Sequence, residues 1–552
     1  MPETLARYRP SLRSEVLILL VTGWMVATAN GAWWHVVAAG HSWRAPSSWL
    51  FAACCFVALT MLHFALFAPL AHRRIVKPLL GLLVVVAAGA AYYMRNFAVL
   101  LDPTMVQNIL RTDTREAADL LTADMITWVI AWSAIPLAFI GWVRIECRPW
   151  LPALAVRTAS IVIAVVVAVL AVLPISRDLT SMMRNQRTAR YLITPGNLVY
   201  GFAANSANDV AVARAPREII GTDAHLVRVA LTRNPRVLVL VIGETARAAD
   251  FSLLGYTRET NPRLAKLDVA AFGDVTSCGT STEVSVPCMF SALGREHYDE
   301  RRIRNSEGLL DVLVRAGYAV RWLDNQSGCK GVCRGGDIDY VQVCKGDDCQ
   351  DGALAERLAA ELPRIERDTV IVLHMMGNHG PAYFKRYPKE FRQFLPDCAT
   401  AQLRDCSRAE VVNAYDNAIL YTDHVLGEVV AALSLASQRL DDAMIYVSDH
   451  GESLGEHGLY LHGLPFAIAP SQQTHVPMIV WVSKPLRATH DVDLDCLRRK
   501  THAALSHDNL FHSVLGLMNV DTGVYRAERD IFDGCRGVPG RAYANTRQPE
   551  VR

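Results

Sequence analysis

The sequence predicts a chain of two unlike parts: an amino-terminal membrane α-helical domain of five transmembrane helices, then an α/β domain outside the membrane built on a mostly parallel sheet. Three observations carry this reading. Five stretches free of Asp, Glu, Lys and Arg fall before residue 177; β-rich apolar runs alternate with amphipathic helices after residue 235; and ten of the 13 cysteines lie in the second part. Hydrophobic residues make up 51% of the 552 and charged residues 20%, a balance that suits partial residence in lipid and excludes a largely disordered chain. With 56 Lys+Arg against 54 Asp+Glu there is no polycationic surface, so no nucleic-acid partner is expected.

The uncharged stretches are residues 16–43, 45–72, 78–94, 125–143 and 158–176. Each approaches or exceeds the ~20 residues that a helix needs to cross the hydrocarbon. The first is too long for a cleaved signal peptide and is followed too soon by others. Orientation follows from the basic residues between them, which are retained on the cytoplasmic side. Arg7, Arg9 and Arg13 precede the first stretch; Arg73, Arg74 and Lys77 separate the second from the third; Arg144, Arg148 and Arg157 follow the fourth. The opposite connections hold only Arg44, then Arg95, Arg111 and Arg115. An odd number of spans starting inside delivers the rest of the chain outside. The expected division is 1–176 for the five-span domain, 177–215 for interfacial linker helices and 216–552 for the outer α/β domain.

The ten outer cysteines fall as close neighbours, Cys278 with Cys288, Cys329 with Cys333, Cys344 with Cys349 and Cys398 with Cys406, leaving Cys496 and Cys535. An even set suits disulfides in an oxidising compartment, although ten cysteines permit many connectivities. The absence of any Cys-x-x-Cys pair argues against a zinc-thiolate site.

Between the third and fourth spans, Asn108, Thr112 and Glu116 recur every fourth residue. That spacing aligns them on one face of a short helix near the outer surface, which either grips a lipid headgroup or is simply solvated. Residues 177–215 mix Arg, Asn and aromatic residues and read as interfacial helices.

In the outer domain, residues 236–242, 319–323, 369–374, 443–448 and 477–482 are continuous β-rich runs suited to the centre of a sheet. Ligands of such sheets gather beyond the strands' carboxyl ends. Glu244 follows the first run, and Asp449 and His450 follow the fourth. Carboxylates and an imidazole from separate strand ends form a donor set for a divalent ion such as zinc. Thr282 stands in a hydroxyl cluster bracketed by Cys278 and Cys288 and followed by a helix. A hydroxyl there is either an ordinary helix cap or a nucleophile whose alkoxide the free backbone N–H groups would stabilise. His379 lies on a Gly/Pro loop after the third run, and His462 twelve residues beyond His450. His374 reads as part of its strand. Lys330, beside Cys329, offers a point charge to a phosphoryl oxygen.

Four segments carry a resemblance: Val-Ile-Gly-Glu-Thr-Ala-Arg (241–247), Ser-Cys-Gly-Thr-Ser-Thr-Glu-Val-Ser-Val-Pro-Cys-Met-Phe-Ser (277–291), Asn-His-Gly-Pro-Ala-Tyr-Phe-Lys-Arg (378–386) and Ser-Asp-His-Gly-Glu-Ser-Leu-Gly-Glu-His-Gly-Leu-Tyr-Leu-His-Gly (448–463). Together with the five spans, they resemble the bacterial lipid A phosphoethanolamine transferases, the family that includes the mobile colistin-resistance enzymes. The resemblance implies a multi-pass enzyme of the bacterial inner membrane whose catalytic domain lies in the periplasm and has an alkaline-phosphatase/sulfatase-like fold. It implies zinc held by Glu244, Thr282, Asp449 and His450, with Thr282 the nucleophile that carries phosphoethanolamine. Lys330, His379 and His462 match catalytic and substrate-side residues, with His379 read as the acid for the leaving oxygen, and Asn108, Thr112 and Glu116 match headgroup contacts. Gln326 stands where the family often has Asn and is left unassigned. The implied donor is phosphatidylethanolamine, and the implied acceptor is a phosphate of lipid A, with a Kdo or heptose as alternatives; a monomer is expected. Two rivals remain, a membrane-anchored phosphatase or sulfatase on the same scaffold, and a lipid-binding sensor without catalysis.

Overall fold

The computed structural model describes residues 9–536 apart from residues 40, 113, 228–233, 336, 345–348 and 491. The chain divides into two compact units, one ending at Arg111 and resuming over Leu120–Ala207, the other formed by Thr112–Asp119 with the residues from Asn208 onward.

The first unit is helical: α1 (Ser14–Thr28), α2 (Gly31–Ala39), α3 (Pro46–Phe67), α4 (Val76–Phe97), α5 (Pro103–Arg111), then α7 (Ala123–Trp142) and α8 (Trp150–Val172), with α6 (Thr114–Leu120) largely in the other unit. Leu17, Val21 and Met25 pack with Leu80, Val84 and Ala87. Val162, Ile163, Val166 and Leu170 on α8 stay exposed, as side chains facing lipid do, since hydrocarbon tails are as apolar as they are. Before the sheet come α9 (Ser176–Asn185) and α10 (Gly196–Arg214). A two-stranded ribbon pairs β1 (Ser11–Leu12) in parallel with β2 (Arg144–Ile145).

Two expectations are corrected. The first uncharged stretch is not one straight span, because α1 and α2 meet at a 59° bend. The fully buried Asn30 explains it: its amide Nδ2 donates to the carbonyls of Met25 (3.0 Å) and Thr194 (2.9 Å), and its Oδ1 accepts the N–H of Thr194 at 2.7 Å. A side chain that competes for backbone groups in this way interrupts a helical ladder. With the bent pair taken as one span, the first unit has the five spans expected. Secondly, α5 ends at Arg111, so Asn108 and Thr112 do not share one helix face. Thr112 begins a run of Thr and Asp, whose side chains favour caps and turns over helix interiors. Glu116 falls within α6, and its side chain lies outside the described residues.

The second unit centres on an eight-stranded sheet of β3 (Arg236–Gly243), β4 (Val269–Thr276), β5 (Ala319–Asp324), β6 (Ile338–Gln342), β7 (Thr369–His374), β8 (Asp441–Ser448), β11 (His475–Val482) and β12 (Leu505–Ser506), while β9 (Ser453–Leu454) and β10 (Tyr460–Leu461) form a hairpin. The order is β12-β4-β11-β8-β3-β7-β5-β6. Only β11 runs against the others. All five predicted runs are strands of this sheet. Every residue of β3 and β8 is buried, which is why they read as unbroken apolar runs rather than alternating ones. The nucleophile candidate opens α11 (Thr282–Met289), and α12 (Arg408–Ala436) packs in the same unit with most of its residues buried. The five expected cysteine pairs are all disulfides, including Cys496 with Cys535.

Candidate active site

Five parallel strands of the sheet end on one edge, and each delivers a candidate residue there. Glu244 follows β3, Asp449 and His450 follow β8, the Thr282 turn follows β4, Gln326 and Lys330 follow β5, and His379 follows β7. This is the edge at which open α/β sheets collect ligands.

Glu244, Asp449 and His450 are fully buried, and their ligand atoms all lie within 4.8 Å of one another. His450 Nδ1 is 2.9 Å from the Gly451 carbonyl, so this nitrogen donates and turns Nε2 inward. There Nε2 stands 3.3 Å from Glu244 Oε1 and 3.4 Å from Asp449 Oδ2. Asp449 Oδ1 accepts the N–H groups of Thr245 (3.1 Å) and His450 (2.7 Å), whereas Oδ2 accepts no hydrogen bond among the described residues. Burial, then the neighbouring Glu244 charge, push Asp449 up to about 6. Burial opposes charge on His450 as well, yet the two carboxylates outweigh it and raise the ring to about 10. Glu244 also resists burial and stays well below the usual carboxylate range because of the hydrogen bond and charge of His450. Two buried carboxylates and an oriented imidazole, one carboxylate oxygen lacking a hydrogen bond among the described residues, are a donor set that fits a divalent cation.

Thr282 joins this cluster. Its Oγ1 donates to Glu244 Oε2 at 2.9 Å and lies 3.4 Å from His450 Nε2. Thr282 is the first residue of α11, with Ser281 extended before it at φ −153°. The Cys278–Cys288 disulfide spans the turn. A second tie comes from His507, which sequence reasoning passed over. Its buried Nδ1 accepts the N–H of Cys278 at 3.0 Å, so Nε2 carries the proton and donates to the Ser448 carbonyl at 2.9 Å. One imidazole thereby links the Thr282 turn to the end of β8.

Close approach at the site requires glycine at Gly451, where a Cβ would lie 2.1 Å from the Gln472 carbonyl oxygen, and at Gly377. Gly377 has φ +53°, and a Cβ there would lie 2.6 Å from the Glu244 carbonyl oxygen.

The other expected residues form two flanks. On one, the His462 ring centroid is 4.3 Å from that of His450 and 5.4 Å from that of His379, and His462 Nδ1 is 3.3 Å from Glu452 Oε1. Enclosure away from water holds the partly exposed His379 down to about 3, so the ring is neutral near pH 7. On the other flank, Lys330 is not the surface lysine that is the commoner case: its side chain is 8% exposed, and Nζ bonds Ser327 Oγ and lies 4.0 Å from Glu283 Oε2. Glu283 in turn accepts from Arg304 at 2.7 Å. Gln326, left unassigned from the sequence, donates from Nε2 to Glu244 Oε2 at 3.2 Å. Glu283 and Gln326 had a signal in the sequence, since one adjoins Thr282 and the other follows a strand end. His507 had none, lying 225 residues from Thr282. His374 does end its strand, buried and 2.8 Å from Asp324 Oδ1.

A mostly parallel sheet carrying a metal-type cluster and a hydroxyl at a helix start suits group transfer, and residues 236–520 match the Sulfatase family. Residues 59–209 match the family described as phosphoethanolamine transferase EptA/EptB. The phosphoethanolamine transferase EptA of Salmonella typhimurium is 38% identical over 471 residues, covering 82% of this chain and 84% of that protein. The phosphatidylethanolamine transferase Mcr-1 of Escherichia coli is 35% identical over 538 residues, covering 94% and 97%. Among solved structures, the integral-membrane lipooligosaccharide phosphoethanolamine transferase A of Neisseria meningitidis matches with TM-score 0.88 at 35% identity, covering 96% of this chain and 100% of that one. The chain belongs to the phosphoethanolamine transferase family. It is a multi-pass protein of the bacterial inner membrane with its catalytic domain in the periplasm.

Proposed function

We propose that this enzyme, acting as a monomer, moves phosphoethanolamine from phosphatidylethanolamine to a phosphate of lipid A through a phosphothreonine at Thr282. The observation that carries the reading is the Thr282 hydroxyl, 2.9 Å from Glu244 Oε2 and at the start of α11. In the first displacement Thr282 Oγ1 attacks the donor's phosphorus, the phosphorus–glycerol oxygen bond breaks and diacylglycerol leaves. In the second, a phosphate oxygen of lipid A attacks the same phosphorus and Thr282 is released. Covalent capture lets two bulky lipids use one site in turn. A Kdo or heptose hydroxyl is the alternative acceptor.

Glu244 Oε2 takes the hydrogen bond of the Thr282 hydroxyl and orients it. Glu244, Thr282, Asp449 and His450 would hold zinc, which supplies a lowered hydroxyl pKa and charge neutralisation at phosphoryl oxygens. Lys330 lends a further positive charge to that phosphoryl group. His379 meets the donor as a neutral imidazole. The phosphodiester's negative charge raises its pKa, so that the ring takes up a proton from solvent and delivers it to the departing glycerol oxygen, while the proton of the attacking Thr282 hydroxyl passes to Glu244 Oε2 and returns to Thr282 when the second displacement releases it. His462, oriented by Glu452, lies beside it. Asn108, Thr112 and Glu116 contact a lipid headgroup, and residues 177–215 tether the catalytic domain 216–552 to the spans in 1–176. The added ammonium lowers the negative charge of the outer membrane and gives polymyxin resistance.

Thr282→Ala tests the reading. Transfer should fall by a factor on the order of 10⁴ or more, and the phosphoethanolamine adduct on the 277–291 peptide, seen by mass spectrometry in the wild type, should vanish. Lipid A still modified in cells carrying this variant would overturn the nucleophile. Free phosphoethanolamine released by the wild type with no gain in acceptor mass would make it a hydrolase instead.

A further inference from the structure

The end of the helical unit away from the periplasm holds a cavity of about 530 Å³ that no step of the transfer uses. Four arginines line it: Arg13 before α1, Arg73 between α3 and α4, Arg148 between α7 and α8, and Arg157 near the start of α8. Among the described residues only two carboxylates, Glu15 and Glu146, face them, so the described lining carries excess positive charge.

These arginines are poorly matched by the protein itself. Arg13 lies 3.7 Å from Glu146 with both side chains largely in solvent, a pair of little worth. Arg73 donates to the thiol of Cys147 at 3.1 Å, a weak acceptor. Arg157 donates one N–H to the Ala71 carbonyl at 2.8 Å, while its buried Nε has no partner among the described residues. Arg148 makes no hydrogen bond or ion pair among the described residues. The cavity is nevertheless built. The ribbon of β1 and β2 fixes the chain on either side of it, with the N–H of Arg144 donating to Pro10 and that of Glu146 to Leu12 at 2.9 and 3.0 Å. Trp150 at its rim is 74% exposed, as aromatic side chains at the membrane–water boundary are.

We propose that this cavity binds the phosphodiester headgroup of a net-anionic phospholipid of the cytoplasmic leaflet. Basic pockets between transmembrane helices on that side recognise such headgroups. Guanidinium groups match phosphate oxygens in geometry as well as charge. A headgroup that also carries an ammonium would set that charge against four arginines, so a lipid without an amine is preferred.

The test is native mass spectrometry of the full chain in detergent, titrated with phosphatidylglycerol, phosphatidylethanolamine or phosphatidylcholine of the same acyl chains, and with inorganic phosphate as competitor. Phosphatidylglycerol should be retained best. Arg148→Gln, which breaks no bond of the fold, should weaken its retention about five-fold, and Arg73→Gln with Arg148→Gln about 25-fold. Arg177→Gln, outside the cavity, should change nothing, and phosphoethanolamine transfer by Arg148→Gln should match the wild type. Equal retention of phosphatidylethanolamine, or indifference to Arg148→Gln, overturns the proposal. Complete displacement of phosphatidylglycerol by millimolar inorganic phosphate also overturns it, by making the cavity a free-anion site.

Discussion

A single imidazole, His507, ties the Thr282 turn to the end of β8 from outside the Glu244, Asp449 and His450 cluster. It is fully buried and has one acceptor and one donor, each matched to a backbone group. His507→Phe leaves the Cys278 N–H and the Ser448 carbonyl without partners, which should destabilise the catalytic unit by about 2–4 kcal/mol. Transfer should fall through kcat rather than KM, since the Thr282 turn shifts against Asp449 while the outer contacts remain. Differential scanning fluorimetry and steady-state kinetics of the full chain in detergent check both. Burial holds this ring down to about 4, helped by the charge of His450. In the unfolded chain it titrates near 6.5, so between about 4 and 6.5 the unfolded state binds the extra proton. Stability is therefore whole above pH 6.5 and declines as pH falls towards 4, by about 3 kcal/mol from this group. The Phe variant should show a shallower decline over the same window; an identical pH profile would mean that another group dominates it.

Among elements, α11 and its disulfide bear most directly on the proposed nucleophile. Replacing Cys278 and Cys288 together by Ala opens a loop of ten residues' separation and should cost about 3 kcal/mol. Activity should fall further than stability does, because the hydroxyl of Thr282 is aimed by that turn. Comparing melting temperature with turnover at a temperature where both proteins are folded separates the two effects. The elements most legible in the sequence were those with one unbroken pattern. The five central strands are buried on both faces and so read as apolar runs. β4 was missed because Gly273 and Asp274 break its run, β6 because Asp339 and Tyr340 at the sheet edge are exposed, and β12 because two residues carry no pattern. The bend after α1 was missed for a different reason: its cause, Asn30, bonds to Thr194, and no local window contains both. At the site, Glu244, Asp449, His450 and Thr282 were visible as groups at strand and helix ends. Glu283 was visible only as the neighbour of Thr282, while Arg304 and His507 act through partners far along the chain and leave no periodic trace.

For the whole molecule, a divalent cation held between the buried acids Glu244 and Asp449 would make metal content part of folding. Ligand that binds only the folded state at a hundred times its Kd adds about 2.7 kcal/mol. Chelation should lower the melting temperature of the catalytic unit, and added zinc should restore it. Glu244→Gln, one carboxylate short, should respond to neither, and a wild-type melt indifferent to chelator would dismiss the metal.

The long helix α12 raises a problem of delivery. By length and composition it could cross a bilayer, yet it must pass through the translocon and fold beyond it. Its acids offer the reason that it does. Asp416 accepts from Tyr256 and Arg258, and Asp423 accepts the N–H groups of Arg263 and Leu264. In hydrocarbon each would cost roughly 2.5–3.5 kcal/mol near a helix centre. The same two carboxylates that knit the finished domain would thus keep the nascent segment from halting in the membrane. Replacing both by Leu should strand a fraction of chains with everything after α12 on the wrong side, where a carboxyl-terminal reporter enzyme active only in the periplasm would fall silent.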